Sequence, residues 1–168
     1  MKYLMIVLSL LGSTAPATAS EQATQHQDQV PVIEATNLHL DGQTARQKGK
    51  AIMLLVSQEH CGFCVQIKQE VIGPMIRSGS YDERLMIREL FLDTGSDVVD
   101  FKGQRRESHA FSYDYKVFLT PTLLFLDADG KELAEKMVGI QTPEMFYYYV
   151  DQSVQNALSA LDKPSLSK

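Results

Sequence analysis

The two cysteines of the chain, Cys61 and Cys64, are separated by only two residues in the stretch "HCGFC". Two sulfurs at this spacing can form a structural disulfide, supply half of a metal site or work as a redox pair. A structural disulfide would add little stability, because the effect of a crosslink grows with the loop that it closes. Covalent haem attachment requires C-x-x-C-H, and Val65 follows Cys64 instead.

A zinc site at the cysteines would need further ligands. Structural zinc takes four, usually from a second Cys or His pair at similar spacing, and the four histidines of the chain form no spaced pair: His26, His39, His60 and His109. No metal site is therefore predicted, and the spacing favours redox chemistry. Capture of a soft metal ion such as copper stays open as the alternative.

The first 19 residues have the pattern of a secretory signal peptide. Lys2 precedes an apolar run over residues 3–11, and small residues end the segment at Ala17-Thr18-Ala19. The apolar run is too short for a permanent membrane helix, and no later segment approaches the roughly 20 apolar residues that such a helix needs. We expect cleavage after Ala19 and export of a soluble protein into an oxidising compartment.

Size and charge predict one ordinary domain. Removing 19 of the 168 residues leaves 149, and the formal charge moves from −5 to −6 because Lys2 is the only charged residue lost. This mildly acidic balance argues against nucleic acid or an anionic membrane as the main partner. We divide the chain into a signal peptide (1–19), a polar flexible leader (20–31), a domain (32–160) and a C-terminal tail (161–168).

Apolar patterning predicts alternating strands and helices, and an α/β fold. A continuous apolar run at 51–57 predicts a buried strand. The other predicted elements are a short helix at 43–48 after an Asp41-Gly42 turn, a helix from Cys61 with an apolar stripe interrupted at Gly73-Pro74, a strand at 85–93, a helix at 107–117, a hairpin turning at Asp129-Gly130, and a closing helix at 142–160. This order is a β-α-β unit followed by a β-β-α unit, which gives a mixed central sheet with helices on both faces.

The closing helix carries two local predictions. Thr142 is a plausible N-cap with Pro143 at the first helical position. The Tyr147-Tyr148-Tyr149 run is predicted to cover the last strand.

Three motifs in order carry a resemblance to a known family. "HCGFC" follows a buried strand, "TPT" (120–122) precedes the hairpin, and "VGIQTPEMF" follows it. Together they resemble the thioredoxin superfamily. Residues 50–154, with "KQEVI", "VVDFKG" and "LTPTLLFLDADGKEL", more closely resemble its exported SoxW-like and TlpA-like branch. The resemblance implies a thioredoxin-like fold and a thiol-disulfide oxidoreductase that uses a redox-active Cys61–Cys64 disulfide and no dissociable cofactor.

The resemblance also assigns roles to site residues. Cys61, at a strand-to-helix junction, is expected to be the nucleophile, because helix N-terminal amides favour a thiolate. Cys64 is expected to lie deeper and to resolve the mixed disulfide that Cys61 forms with a substrate. A cis Thr120-Pro121 bond is expected to face the cysteines, so that the Thr120 backbone can pair with an extended substrate segment.

Several positions depart from the family pattern. Leu55 stands where cytoplasmic thioredoxins carry a buried Asp, which leaves Glu59 or a water to assist the resolving thiol. His60 replaces the usual Trp; a protonated imidazole there would favour the Cys61 thiolate, whereas an exposed one would have no such effect. The Gly62-Phe63 pair between the cysteines resembles that of disulfide isomerases, and Phe63 is expected to face the substrate.

The resemblance implies partners as well. We expect a periplasmic monomer that acts on cysteine-containing periplasmic proteins and is recharged by a membrane electron donor of the DsbD or CcdA type. Reduction is the expected direction, with disulfide shuffling also compatible. The alternative function is a periplasmic copper-binding or client-binding module of thioredoxin fold without turnover.

Overall fold

A computed structural model describes residues 31–163. The predicted signal peptide, nearly all of the predicted leader and most of the predicted tail lie outside these residues. The helices are α1 (Leu38–Lys48), α2 (Gly62–Ile67), α3 (Gly73–Ser78), α4 (Ser108–Asp114) and α5 (Phe146–Leu161). The strands are β1 (Ala51–Ser57), β2 (Leu85–Phe91), β3 (Asp97–Val99), β4 (Arg105–Glu107), β5 (Thr122–Leu126) and β6 (Glu132–Val138).

A four-stranded mixed sheet in the order β2-β1-β5-β6 forms the centre of the fold. β1 runs parallel to β2 and antiparallel to β5, and β6 pairs antiparallel with β5. Every residue of β1 is buried, as its continuous apolar run predicts for a central strand covered on both faces. The predicted α/β class with a mixed sheet is therefore confirmed.

Alternate residues of β1 point into two separate cores. Met53 and Leu55 face one core, to which Ile67, Ile72 and residues of α5 contribute. Ile52, Leu54 and Val56 face the other core, which is completed from α1 and α4 by Leu38, Ala45 and Phe111. The predicted placement of helices on both faces is thus confirmed.

The helix that starts after Cys61 continues through Gly73-Pro74, where the sequence predicted an interruption. A five-residue π-helical turn, Lys68–Ile72, joins α2 to α3. Its wide turn lets the Gly73 N–H donate to the Lys68 carbonyl and accommodates Pro74, which has no N–H to donate. Gly73 fits this turn because a Cβ there would lie 2.9 Å from the Lys68 carbonyl oxygen.

The first helix is longer than predicted. α1 begins at Leu38, and the Asn37 side chain caps it by accepting a hydrogen bond from the Leu40 N–H at 3.0 Å. The predicted Asp41-Gly42 turn is wrong, since both residues lie inside α1. The Ala128 carbonyl packs closely against Gly42, and a Cβ at this position would lie only 2.4 Å from its oxygen.

Two details of the closing helix are corrected. Thr142 does not cap it: this residue has a φ of 50°, its side chain makes no capping hydrogen bond, and a 3-10 turn (Pro143–Met145) precedes α5. The tyrosine run does not cover β6, because Tyr147, Tyr148 and Tyr149 are all exposed. Their flanking neighbours Phe146 and Val150 face the core instead, four positions apart on the helix.

A small hairpin of β3 and β4 connects β2 to α4. Asp100, which is 5% exposed, shapes its turn by accepting hydrogen bonds from the N–H groups of Lys102 and Gln104. The hairpin packs against α1, where the His39 Nδ1 lies 3.0 Å from the Phe101 carbonyl oxygen. Its strands are only three residues long and rich in charge, so they lack the apolar alternation that predicts a strand.

Candidate active site

The two cysteines form a disulfide at the end of β1. The Cys61 and Cys64 sulfurs are bonded at 2.06 Å, with their Cα atoms 5.2 Å apart. Cys61 has an extended backbone and is the N-cap of α2, and Cys64 lies within the first turn. Cys61 is half-buried, whereas Cys64 is 1% exposed. A substrate can therefore approach the Cys61 sulfur, and Cys64 lies behind it.

One backbone amide of the first helical turn contacts the Cys61 sulfur. The sulfur accepts a hydrogen bond from the Cys64 N–H at 3.1 Å. The Cys61 carbonyl accepts from the Cys64 and Val65 N–H groups, which sets the first helical turn directly against the sulfur. When the disulfide is reduced, the Cys64 amide is placed to stabilise a thiolate at Cys61.

Thr120 lies against Cys61 from the other side of the site. The Thr120-Pro121 peptide bond is cis. The Thr120 hydroxyl is 3.7 Å from the Cys61 sulfur and donates a hydrogen bond to the Gln58 amide oxygen at 2.8 Å. Gln58 was not among the predicted site residues, because nothing in its local sequence indicates that it meets a residue 62 positions away.

The backbone next to the cis bond is partly free. The Pro121 carbonyl accepts from the Gly139 N–H at 2.8 Å, which ties this segment to the end of β6. Within residues 31–163, neither the N–H nor the carbonyl of Thr120 has a hydrogen-bond partner. An extended peptide can therefore pair with Thr120 beside the Cys61 sulfur.

Exposed apolar side chains flank the disulfide. Phe63, between the cysteines, is 63% exposed, and Phe118 and Leu119, just before Thr120, are 67% and 65% exposed. We call these three residues the apolar rim. The Phe118 ring is held by an edge contact with Tyr113, with ring centroids 5.4 Å apart. Exposed apolar patches of this kind are typical of protein-binding surfaces.

The remaining predicted site residues are exposed. His60 makes no side-chain hydrogen bond within the described part of the chain, and Gly62 has open space where a Cβ would stand. Glu59 is also exposed. Its backbone N–H donates a hydrogen bond to the Asp93 carboxylate, whereas its side chain makes no such contact within the described residues. Glu59 thus does not occupy the buried position next to Leu55.

A buried carboxylate lies instead on the neighbouring strand. Glu89 is 3% exposed and stands opposite Leu55 in the register of β1 and β2. Its Oε1 accepts hydrogen bonds from the Ser57 hydroxyl at 2.6 Å and from the Lys68 ammonium at 2.9 Å. Sequence reasoning missed Glu89, although the adjacent charges Arg88-Glu89 inside an apolar strand were a usable signal.

Two further features bear on function. Among residues 31–163, no group of three or more His, Cys, Asp or Glu side chains is arranged to hold a metal ion. None of the helices in that range has the length and apolar character needed to cross a membrane.

Comparisons with known proteins agree with this geometry. A family model described as a thioredoxin-like domain matches residues 38–153. No curated protein matches the chain. A solved structure of a DsbH oxidoreductase is 19% identical to this chain, with a TM-score of 0.54, and the match covers 85% of this chain and 96% of the other. A poplar thioredoxin h mutant is 21% identical, with a TM-score of 0.52, and the match covers 83% of this chain and 94% of the other.

These similarities settle the class of protein. The two structures are less than 25% identical to this chain, so they show a shared fold alone, while the family model covers well over half of the sequence. The chain belongs to the thioredoxin-like domain family of the thioredoxin superfamily. It carries the C-x-x-C disulfide that makes thiol-disulfide oxidoreductase activity chemically plausible.

Proposed function

We propose that this protein is an exported thiol-disulfide oxidoreductase that reduces disulfides in periplasmic proteins. The observation that carries the proposal is the pairing of an accessible Cys61 with a buried Cys64 in one disulfide, next to backbone at Thr120 that has no hydrogen-bond partner in the described part of the chain. A structural crosslink would need neither the accessible sulfur nor the free backbone.

The reaction follows from thiol-disulfide exchange. In the reduced protein, the Cys61 thiolate attacks one sulfur of a client disulfide, a bond forms between the two sulfurs, and the other client sulfur leaves as a thiolate. The Cys64 sulfur then attacks Cys61, closes the Cys61–Cys64 disulfide and releases the second client sulfur. The client gains two electrons and the protein loses two, so a separate dithiol donor must reduce the pair again.

The apolar rim supports a protein as the substrate in place of a small disulfide. A client segment lying along Thr120 would cover Phe118 and Leu119 on one side and Phe63 on the other. The pattern of the first 19 residues supports export, and a membrane dithiol protein of the DsbD or CcdA type is the proposed donor, in line with the SoxW-like resemblance.

The direct test is reduction of insulin by dithiothreitol, followed as turbidity from the released chains. We expect the wild-type protein to accelerate the reaction and Cys61→Ser to lose the acceleration, whereas His109→Ala, at an exposed position on α4, should retain it. Equal slow rates for wild type and Cys61→Ser would refute oxidoreductase activity. Retention of copper by purified wild type without any acceleration would favour the metal-binding alternative.

Export and clients are tested in cells. N-terminal sequencing of the secreted protein should begin at Ser20, and cell fractionation should place it in the periplasm. A Cys64→Ala variant should accumulate mixed disulfides with periplasmic proteins, because nothing resolves the Cys61 adduct. The double variant Cys61→Ser/Cys64→Ala is the matched control and should trap none.

A further inference from the structure

The resolving step requires a proton acceptor at a place that bulk water does not reach. Cys64 must lose its thiol proton to attack the mixed disulfide, since the thiolate is the nucleophile. Its side chain is 1% exposed, and solvent is therefore a poor base for it. A buried group near the helix that carries Cys64 is a better candidate for the acceptor, and Glu89 is a buried charged residue of the described chain.

Glu89 is a buried carboxylate on the correct face of the sheet. Leu55 of β1 and Glu89 of β2 are partners in the parallel strand pair. Both side chains therefore point to the face of the sheet that packs against α2 and the π-helical turn. Ser57 is the last residue of β1, the strand that leads to Cys61, and it donates to Glu89. Lys68 follows Cys64 by four residues, about one helical turn, and it also donates to Glu89.

The two partners orient this carboxylate and leave part of it available. Both hydrogen bonds go to Oε1 of Glu89. The Lys68 ammonium places a positive charge beside the carboxylate, and its nitrogen lies 5.6 Å from the centroid of the Phe91 ring. Within residues 31–163, Oε2 of Glu89 makes no hydrogen bond to a side chain or to the backbone, so it is the free acceptor site.

Other charged groups around Glu89 do not compete for this role. Arg88, which precedes Glu89 in β2, points to the opposite face of the sheet and pairs with Asp41 of α1. Glu34, which is bridged to Glu89 through the backbone, is exposed, and so are Glu59 and Asp93 at the end of the sheet. Lys68 is the one charged side chain that contacts the Glu89 carboxylate among the described residues.

We propose that Glu89, held by Ser57 and Lys68, accepts the proton of Cys64 during the resolving step; the inference rests on the oxidoreductase function proposed above. As the Cys64 S–H bond breaks, its proton passes to the Glu89 carboxylate. The Cys64 sulfur bonds to the Cys61 sulfur, and the bond from Cys61 to the client sulfur breaks, so that the client leaves as a thiolate. Glu89 then returns the proton to solvent.

The two chemical steps can be separated with a chromogenic aromatic disulfide, dithiobis(nitrobenzoate). The reduced protein should release one thionitrobenzoate when Cys61 attacks and a second when Cys64 resolves the adduct, and Cys64→Ala should show the first release alone. In Glu89→Gln we expect the second release to slow about 100-fold near neutral pH, the lower end of the effect of a positioned general base. Its rate should then keep rising with pH, while the first release keeps the wild-type rate and pH profile.

The variant also leaves Lys68 without its partner, so a second variant controls for stability. Glu89→Gln combined with Lys68→Met removes both charges and should show the same slow second release. A wild-type second release in either variant, or an equal slowing of both releases, would overturn the role of Glu89. A wild type that shows no second release and does not reduce insulin would instead refute the proposed function, so the two failures are distinguishable.

Discussion

Removing the Phe118 ring should weaken the reaction with proteins and spare the reaction with small disulfides. An aromatic side chain covers about 150 to 250 Å² when fully buried. Because Phe118 is 67% exposed, about 130 Å² of its surface is available to a client. If a client covers half of that area, the loss on Phe118→Ala is about 1.6 kcal/mol at about 25 cal/mol per Å². This loss corresponds to a decrease of about 15-fold in kcat/KM.

The assay compares two substrates and two variants. Insulin reduction should fall about 15-fold in Phe118→Ala, while the reaction with dithiobis(nitrobenzoate), which is too small to span the apolar rim, should stay within about twofold of wild type. Tyr148→Ala is the matched control, because Tyr148 is 52% exposed and has a similar edge contact with Tyr149, at a centroid distance of 5.7 Å, but lies on α5.

Two results would contradict the reasoning. An equal loss for both substrates would mean that Phe118 supports the geometry of Cys61 and not the client. An equal loss of insulin reduction in Tyr148→Ala would mean that general surface hydrophobicity, and not the apolar rim, carries client binding.

Two other predictions concern Thr120 and Tyr115. In a Cys64→Ala background, Thr120→Val should slow alkylation of Cys61 by iodoacetamide about 2- to 5-fold at neutral pH, because the Thr120 hydroxyl can turn its one proton from Gln58 to the Cys61 thiolate. The effect is small because the hydroxyl lies 3.7 Å from the sulfur, which is long for the roughly 1.5–3 kcal/mol of a full hydrogen bond to a charged group. An unchanged alkylation rate would show that Thr120 acts on the client alone. Burial, with the charges of Glu132 and Asp114 adding to it, raises the pKa of Tyr115. The unfolded chain therefore ionises first, and the contribution of Tyr115 to the free energy of unfolding should be complete below about pH 10 and be lost as the pH rises further. Urea titrations should show a shallower alkaline loss for Tyr115→Phe than for wild type, and parallel curves would contradict this.

The central strands and the cysteine helix were predictable because their signals are local. The unbroken apolar run at 51–57 specifies a strand buried on both faces. Gly49, after α1, and Gly139, after β6, both adopt a positive φ, which glycine allows at the end of an element. The cysteines follow that strand directly, so their placement at a strand-to-helix junction required no information about distant parts of the chain.

The missed features depend on contacts between distant residues. Gly42 looks like a turn residue, yet it lies inside α1, where the close approach of the Ala128 carbonyl leaves no room for a Cβ. Thr142 and Pro143 form a typical helix start, but the backbone of Thr142 is left-handed and the helix begins later. The Gln58 contact with Thr120 joins two loops, and local periodicity carries no information about such a pair.

The buried charges of β2 link the register of the sheet to the site. Arg88 and Glu89 are consecutive, so they point to opposite faces, and each meets its partner there: Asp41 on α1 and Lys68 on the π-helical turn. A slip of β2 by one residue would bring Arg88 to the face of Lys68 and place two half-buried like charges together, which is destabilising. The two ion pairs therefore oppose a slipped register. The correct register is also the one that joins the Glu89 carboxylate to Lys68, on the π-helical turn that continues the helix of Cys64.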